Sequence, residues 1–136
     1  MPLYQVEIKC KFEFAHRLMD YAGKCENVHG HTGWATVTFA GDKLDSMGMV
    51  IDFRDIKRVV KEWIDDRWDH AYICRQDDPL MKILRKEGLY VYEMDVNPTS
   101  ENMCEHLYHI VDNLIEQKCV GVEIQETPVN IARYEP

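Results

Sequence analysis

Three histidines are spaced so that they can converge on one ion. His16 follows Phe12 and Phe14 on the same alternating face, and His29 and His31 stand two residues apart around Gly30. Residues two apart on an extended chain point the same way, about 7 Å from each other along it. If the two segments pair as a hairpin, all three imidazoles meet at one end of a sheet. Three neutral imidazoles leave zinc its full charge and an open fourth position, the arrangement of a catalytic site. Hexacoordinate, oxygen-seeking metals suit such a shell less well. A lone histidine at a strand end is usually a packing or capping residue. The case for metal therefore rests on the conjunction of the three and not on any one of them.

Other groups surround this constellation. Cys25 lies four residues before His29. It is either a fourth ligand, which would close the site structurally, or a free thiolate activated by the metal and Lys24. Glu126 falls on the inward phase of Val120, Val122 and Ile124. A carboxylate held inward needs a donor, and paired N–H donors such as the amino-pyrimidinone edge of guanine or a pterin would supply it. At a frayed strand end the same residue simply reaches water. Asp69-His70 has the form of an acid/base pair oriented by a carboxylate, although a dipeptide alone is weak evidence. His106 and His109 lie off the apolar stripe of their helix, so a solvated surface is expected for them. Cys10 and Cys104 sit on apolar faces as small hydrophobes, and Cys74 and Cys119 show no pairing pattern.

Bulk properties narrow the classes. The 136 residues suit a single domain spanning 1–136, with 46% hydrophobic and 29% charged residues as in globular proteins. A net charge of −8 argues against a nucleic-acid surface, which selects for clustered Lys and Arg. No apolar run is long enough to span a bilayer, so no membrane partner is expected. An odd count of five cysteines and an N-terminus without a signal-like pattern point to a reduced, cytoplasmic protein.

The elements that would carry the site follow from periodicity. Tyr4 to Phe14 alternates as a half-buried strand, and Thr32 to Phe39 gives a second strand ending near Gly41-Asp42. Met49 to Ile51 reads as a short strand, after which Asp52 caps a helix bearing Phe53, Ile56, Val59, Val60, Trp63 and Ile64. Asp78-Pro79 opens a short helix closed by Gly88, and Leu89 to Met94 reads as a strand. Pro98-Thr99 starts a second long helix, and Val120, Val122 and Ile124 mark a last strand. This order predicts an α+β fold, with helices covering one face of an antiparallel sheet.

Taken together, FEFAHRL at 12–18, CENVHGH at 25–31, GMVIDF at 48–53, DH at 69–70, PTSEN at 98–102 and ET at 126–127 carry a resemblance over nearly the whole chain. The sequence resembles the family of 6-pyruvoyltetrahydropterin and 6-carboxytetrahydropterin synthases. That resemblance implies the tunnelling fold, a four-stranded antiparallel sheet with two long helices on one face. Such chains assemble as trimers that stack into hexameric barrels, with active sites at subunit boundaries. It also implies that His16, His29 and His31 hold Zn2+, that Cys25 is the catalytic base, and that Asp69 and His70 reach the site from a neighbouring subunit. Glu126 would anchor the pterin ring, and Thr99 and Ser100 would contact it.

The four-residue gap between Cys25 and His29 matches the carboxy-forming branch, associated with 7-deazaguanine (queuosine) biosynthesis; the pyruvoyl-forming branch usually has six. The implied reaction converts 7,8-dihydroneopterin triphosphate to 6-carboxy-5,6,7,8-tetrahydropterin, releasing acetaldehyde and triphosphate, with Lys24 or Arg17 as candidate triphosphate cations. A pyruvoyl-forming synthase, an aldolase-like relative and a zinc-stabilised binding module are the competing readings. Trp68 stands where that family commonly has leucine, and Ala71-Tyr72 follow His70 in place of a more polar context.

Overall fold

The computed structural model describes residues 2–136. Strand β1 (Tyr4–His16) pairs antiparallel with β2 (His29–Gly41) along its whole length, so that His16 lies opposite His29 and Phe14 opposite His31. The even residues Cys10, Phe12 and Phe14 of β1 and the odd residues Ala35, Val37 and Phe39 of β2 enter the main core. The phase predicted from alternation is therefore the phase observed, and it carries the three histidines onto the core face.

Gly33 shows how tightly this face is built. A Cβ there would lie 2.9 Å from the Phe14 ring and 3.1 Å from that of Phe12. Only glycine lets the two rings, stacked with centroids 5.0 Å apart, lie against β2.

Asp52 caps the first helical segment by accepting the Arg54 N–H, as expected. The rod then runs as α1 (Phe53–Ile56), a π-helical stretch (Lys57–Lys61) and α2 (Glu62–Arg67). Its buried residues Ile56, Val60, Ile64 and Trp68 recur every four positions. An ordinary helix would drift out of phase at that spacing, and a wider turn brings the stripe back towards the sheet. Together with α4 (Ser100–Leu114), whose Met103, Cys104, Leu107 and Val111 are buried, it covers one face of the sheet.

The sheet departs from the expected four antiparallel strands. It has six, with β3 (Ala71–Arg75), β4 (Val91–Met94), β5 (Lys118–Thr127) and β6 (Asn130–Tyr134) joining β1 and β2 in the order β4-β3-β1-β2-β5-β6, and the β1/β3 and β3/β4 pairs are parallel. Strand β3 (Ala71–Arg75) was not legible because it is covered on both sides. Ala71 and Ile73 face the main core, while Tyr72 and Cys74 lie under α3 (Pro79–Lys86) with Met81 and Val91, so no alternation survives. Helix α3 consequently packs on the opposite face from the other helices. Strand β4 (Val91–Met94) begins two residues later than expected, and the segment 49–51 forms no strand. Strand β5 (Lys118–Thr127) turns into the short, largely exposed edge strand β6 (Asn130–Tyr134), whose one-sided packing left little pattern to read. The class is α+β as predicted. No described helix is long and apolar enough to cross a membrane.

Candidate metal centre

Where β1 ends and β2 begins, the side chains of His16, His29 and His31 converge. Their ring centroids are 4.6, 5.1 and 5.0 Å apart, and one nitrogen of each lies within 4.8 Å of the others. They form the one such ligand group among the described residues. His16 is almost fully buried and donates its Nδ1–H to the Pro98 carbonyl at 2.8 Å. His29 donates its Nδ1–H to the Asn27 carbonyl at 2.7 Å. These backbone bonds fix the tautomer and leave each Nε2 lone pair free, the outer-shell arrangement found around metal-binding imidazoles.

The third imidazole strengthens the fit. His31 Nε2 is buried and has no hydrogen-bond partner among the described residues. Burial holds its pKa below the ordinary histidine range against the opposing pull of Glu126, with the neighbouring imidazoles acting in the same direction as burial, which favours its neutral form. A buried, neutral, unpartnered nitrogen facing two others suits zinc or a similar borderline metal.

Glu126 closes the group. Its Oε1 lies 3.2 Å from His16 Nε2 and 3.6 Å from His31 Nε2. The adjacent imidazoles, His16 foremost, hold its carboxyl below the usual range against the opposing effect of burial, with Ser100 acting in the same direction as the imidazoles. The carboxylate thus stands inward as its strand phase predicted, not splayed into water. A pocket of about 370 Å³ opens beside it between β2 and β5, lined in part by His31, Thr32, Trp34, Gln125 and Thr127. Thr99 caps α4 by accepting the Asn102 N–H at 3.1 Å, so both Thr99 and Ser100 belong to the helix start adjoining this group.

Cys25 sits in a single 3-10 turn (Lys24–Glu26), half-buried and free, and is not part of the ligand group. The other four cysteines are buried and unpaired.

Asp69 and His70 are assembled elsewhere. Asp69 accepts the Glu13 N–H at 2.8 Å and the His70 Nδ1–H at 2.8 Å, and these bonds hold its carboxyl below the usual range although burial alone would raise it. His70 adopts a left-handed backbone (φ 61°), with its N–H bonded to the Glu13 carbonyl. Its side chain is 76% exposed and borders a mainly apolar pocket with Ala15, Tyr72 and Leu84, which belong to the sheet face opposite the triad. Within one chain the dyad and the histidines therefore look away from each other.

Two expectations need correction. Arg17 is no free phosphate ligand: both ends of its guanidinium bond the buried Asp78, which also accepts from the Tyr72 hydroxyl at 2.7 Å and the Leu80 N–H at 2.9 Å. His106 is not solvated. It packs against Trp63 and Trp68, bonds the Tyr92 hydroxyl at 2.6 Å, and is held below the ordinary pKa range by burial. The residues flanking it made its helix face look polar in sequence. His109 is exposed, as expected.

A curled sheet carrying three convergent imidazoles that could hold a metal ion, with a carboxylate beside them and two helices behind, is the architecture of the tunnelling-fold enzymes. The family model described as 6-pyruvoyl tetrahydropterin synthase matches residues 5–136, and the chain belongs to that family. The 6-carboxy-5,6,7,8-tetrahydropterin synthase of Rickettsia felis is 42% identical over 106 residues, covering 74% of this chain and 77% of that protein. The synthase of the same name from Haemophilus influenzae is 29% identical over 98% of this chain and 99% of its own. Among solved structures, an uncharacterized protein of Wolinella succinogenes superposes with a TM-score of 0.86 at 25% identity, covering 97% of both chains. The 6-pyruvoyl tetrahydropterin synthase of Caenorhabditis elegans superposes with a TM-score of 0.75 at 26% identity, covering 100% of this chain and 97% of that one.

Proposed function

We propose that this pterin synthase is a zinc-dependent lyase converting 7,8-dihydroneopterin triphosphate, with uptake of one water, to 6-carboxy-5,6,7,8-tetrahydropterin, acetaldehyde and triphosphate. The observation that carries the reading is the neutral, unpartnered His31 Nε2 facing His16 and His29, whose tautomers are fixed by backbone carbonyls. Bound there, zinc would supply Lewis-acid stabilisation of negative charge developing on the substrate side chain.

The chain's own groups divide the remaining work. Glu126, held ionised at the pocket mouth, accepts the paired N–H donors of the pterin ring. The Cys25 thiolate takes a proton from the side chain, and His70 moves the second, its imidazole oriented by Asp69. Because the dyad faces away from the triad in one chain, this division of labour requires another copy to present His70. That need supports a homo-oligomer of trimeric or hexameric form. The spacing of Cys25 from His29 and the names of the relatives favour the carboxy-forming over the pyruvoyl-forming reaction.

The test incubates zinc-loaded protein with 7,8-dihydroneopterin triphosphate, assays acetaldehyde and identifies the pterin by mass. Acetaldehyde with a carboxypterin, abolished in Cys25→Ala, supports the reading. A pyruvoyl product moves the chain to the sister activity, and unchanged substrate rejects both.

A further inference from the structure

We infer that Asn97 is a positioning residue whose carboxamide clamps the Cys25 loop to the start of α4, next to the carbonyl that orients His16. The inference rests on the reading of Cys25 as a proton-transferring thiol. Asn97 Oδ1 accepts the Met19 N–H at 2.9 Å, and Asn97 Nδ2 donates to the Met19 carbonyl at 2.8 Å. One side chain thus satisfies both backbone groups of one residue, as a neighbouring strand would.

The loop between β1 and β2 needs such a grip. Its regular structure is a single 3-10 turn, and its backbone is otherwise tied by the Leu18 N–H to the Cys25 carbonyl at 2.8 Å. Met19 adjoins Leu18, so the clamp on the one braces the residue that holds the other. Asn97 is itself fixed. Its carbonyl accepts the Thr99 N–H at 2.8 Å and Asn102 Nδ2 at 2.9 Å, and the following Pro98 restricts its backbone to extended conformations. Pro98 then offers its carbonyl to His16. Two consecutive residues therefore hold the two halves of the proposed chemistry, the thiol loop through a side chain and the metal ligand through a backbone oxygen. The side-chain bonds of Asn97 go to Met19 and not to the histidines, so its loss should disturb the thiol and spare the metal.

The test compares wild type with Asn97→Ala, which removes both bonds, and Asn97→Asp, which keeps only the acceptor for the Met19 N–H. Zinc content, kcat and KM, hydrogen exchange at the Met19 amide, and the rate of iodoacetamide reaction are read on each folded, zinc-loaded protein. Cys25 is the one cysteine that is not buried, so alkylation reports on its loop. In Asn97→Ala, kcat should fall about 10- to 100-fold with KM nearly unchanged and zinc retained, as expected for a misplaced catalytic group. Met19 exchange and Cys25 alkylation should both accelerate, with Asn97→Asp intermediate. Unchanged exchange and alkylation in Asn97→Ala would overturn the clamp, as would a loss of kcat that follows loss of zinc. Full turnover by Cys25→Ala rejects the thiol's role instead, and the exchange and alkylation rates then still decide whether the clamp exists.

Discussion

His16 and His29 face each other across the β1–β2 ladder with ring centroids 4.6 Å apart, and each spends its Nδ1–H on a backbone carbonyl, Pro98 for one and Asn27 for the other. The pairing is set by strand register and the two carbonyl bonds, beside a large apolar core that holds the strands themselves. A site built on such a frame predicts that metal removal leaves the fold standing. Chelation should strip the ion with little change in far-UV circular dichroism, whereas a structural zinc module would unfold. Replacing His29 with Ala should lower zinc affinity by roughly 100-fold or more, read by metal content after dialysis.

His70 predicts a different phenotype from the triad. Its exposed ring bonds only Asp69, so His70→Ala should keep zinc and thermal stability. Turnover should drop by about 10²- to 10⁴-fold, the usual worth of a positioned proton donor. Because the dyad and Cys25 would be contributed by different copies, mixing inactive Cys25→Ala and His70→Ala proteins after subunit exchange should restore part of the activity. Failure to complement would place the whole site within one chain.

Asp78 is the buried anion on which Arg17, Tyr72 and the Leu80 N–H converge. Burial alone would raise its pKa, but these bonds hold it below the ordinary value of 3.8. A depressed folded-state pKa stabilises the protein above the unfolded value, and that contribution is lost as pH falls through the folded one. Asp78→Asn should therefore cost roughly 2–3 kcal/mol near neutrality. The gap to wild type should narrow below about pH 4 in urea titrations run across pH.

Trp68 is fully buried, yet its Nε1–H has no partner among the described residues. An orphaned donor offsets part of what the large ring contributes. Trp68→Phe should thus cost under about 1.5 kcal/mol, while Trp68→Ala, which leaves a cavity beneath Phe12 and Trp63, should cost about 3–5 kcal/mol.

Gly33→Ala should destabilise by about 1–3 kcal/mol, since the new methyl meets the Phe12 and Phe14 rings and must displace them. The Phe14 ring, stacked on Phe12, supports the histidines, with its centroid 5.1 Å from that of His16 and 5.6 Å from that of His31. Zinc affinity should fall together with the melting temperature, and a fall in melting temperature alone would show that the ring displacement stops short of the site.

The sequence by itself determined those features that depend on local phase. Period-two alternation put Cys10, Phe12, Phe14 and His16 on one face of β1, and the same rule aimed His29 and His31 together and Glu126 inward. Asp52, Asp78 and Thr99 announced their helix starts because a cap needs only a short polar side chain before the first turn. Tertiary structure decided what two-sided burial and long-range contact control. Strand β3 carries no alternation because both its faces are covered, so the parallel pairings that turn four strands into six were not visible along the chain. Arg17 met Asp78 across 61 residues and His106 met Tyr92 and two tryptophans, and neither encounter has a local signature. The separation of Asp69 and His70 from the histidines is likewise a property of the two faces of a folded sheet, which residue types and spacing do not encode.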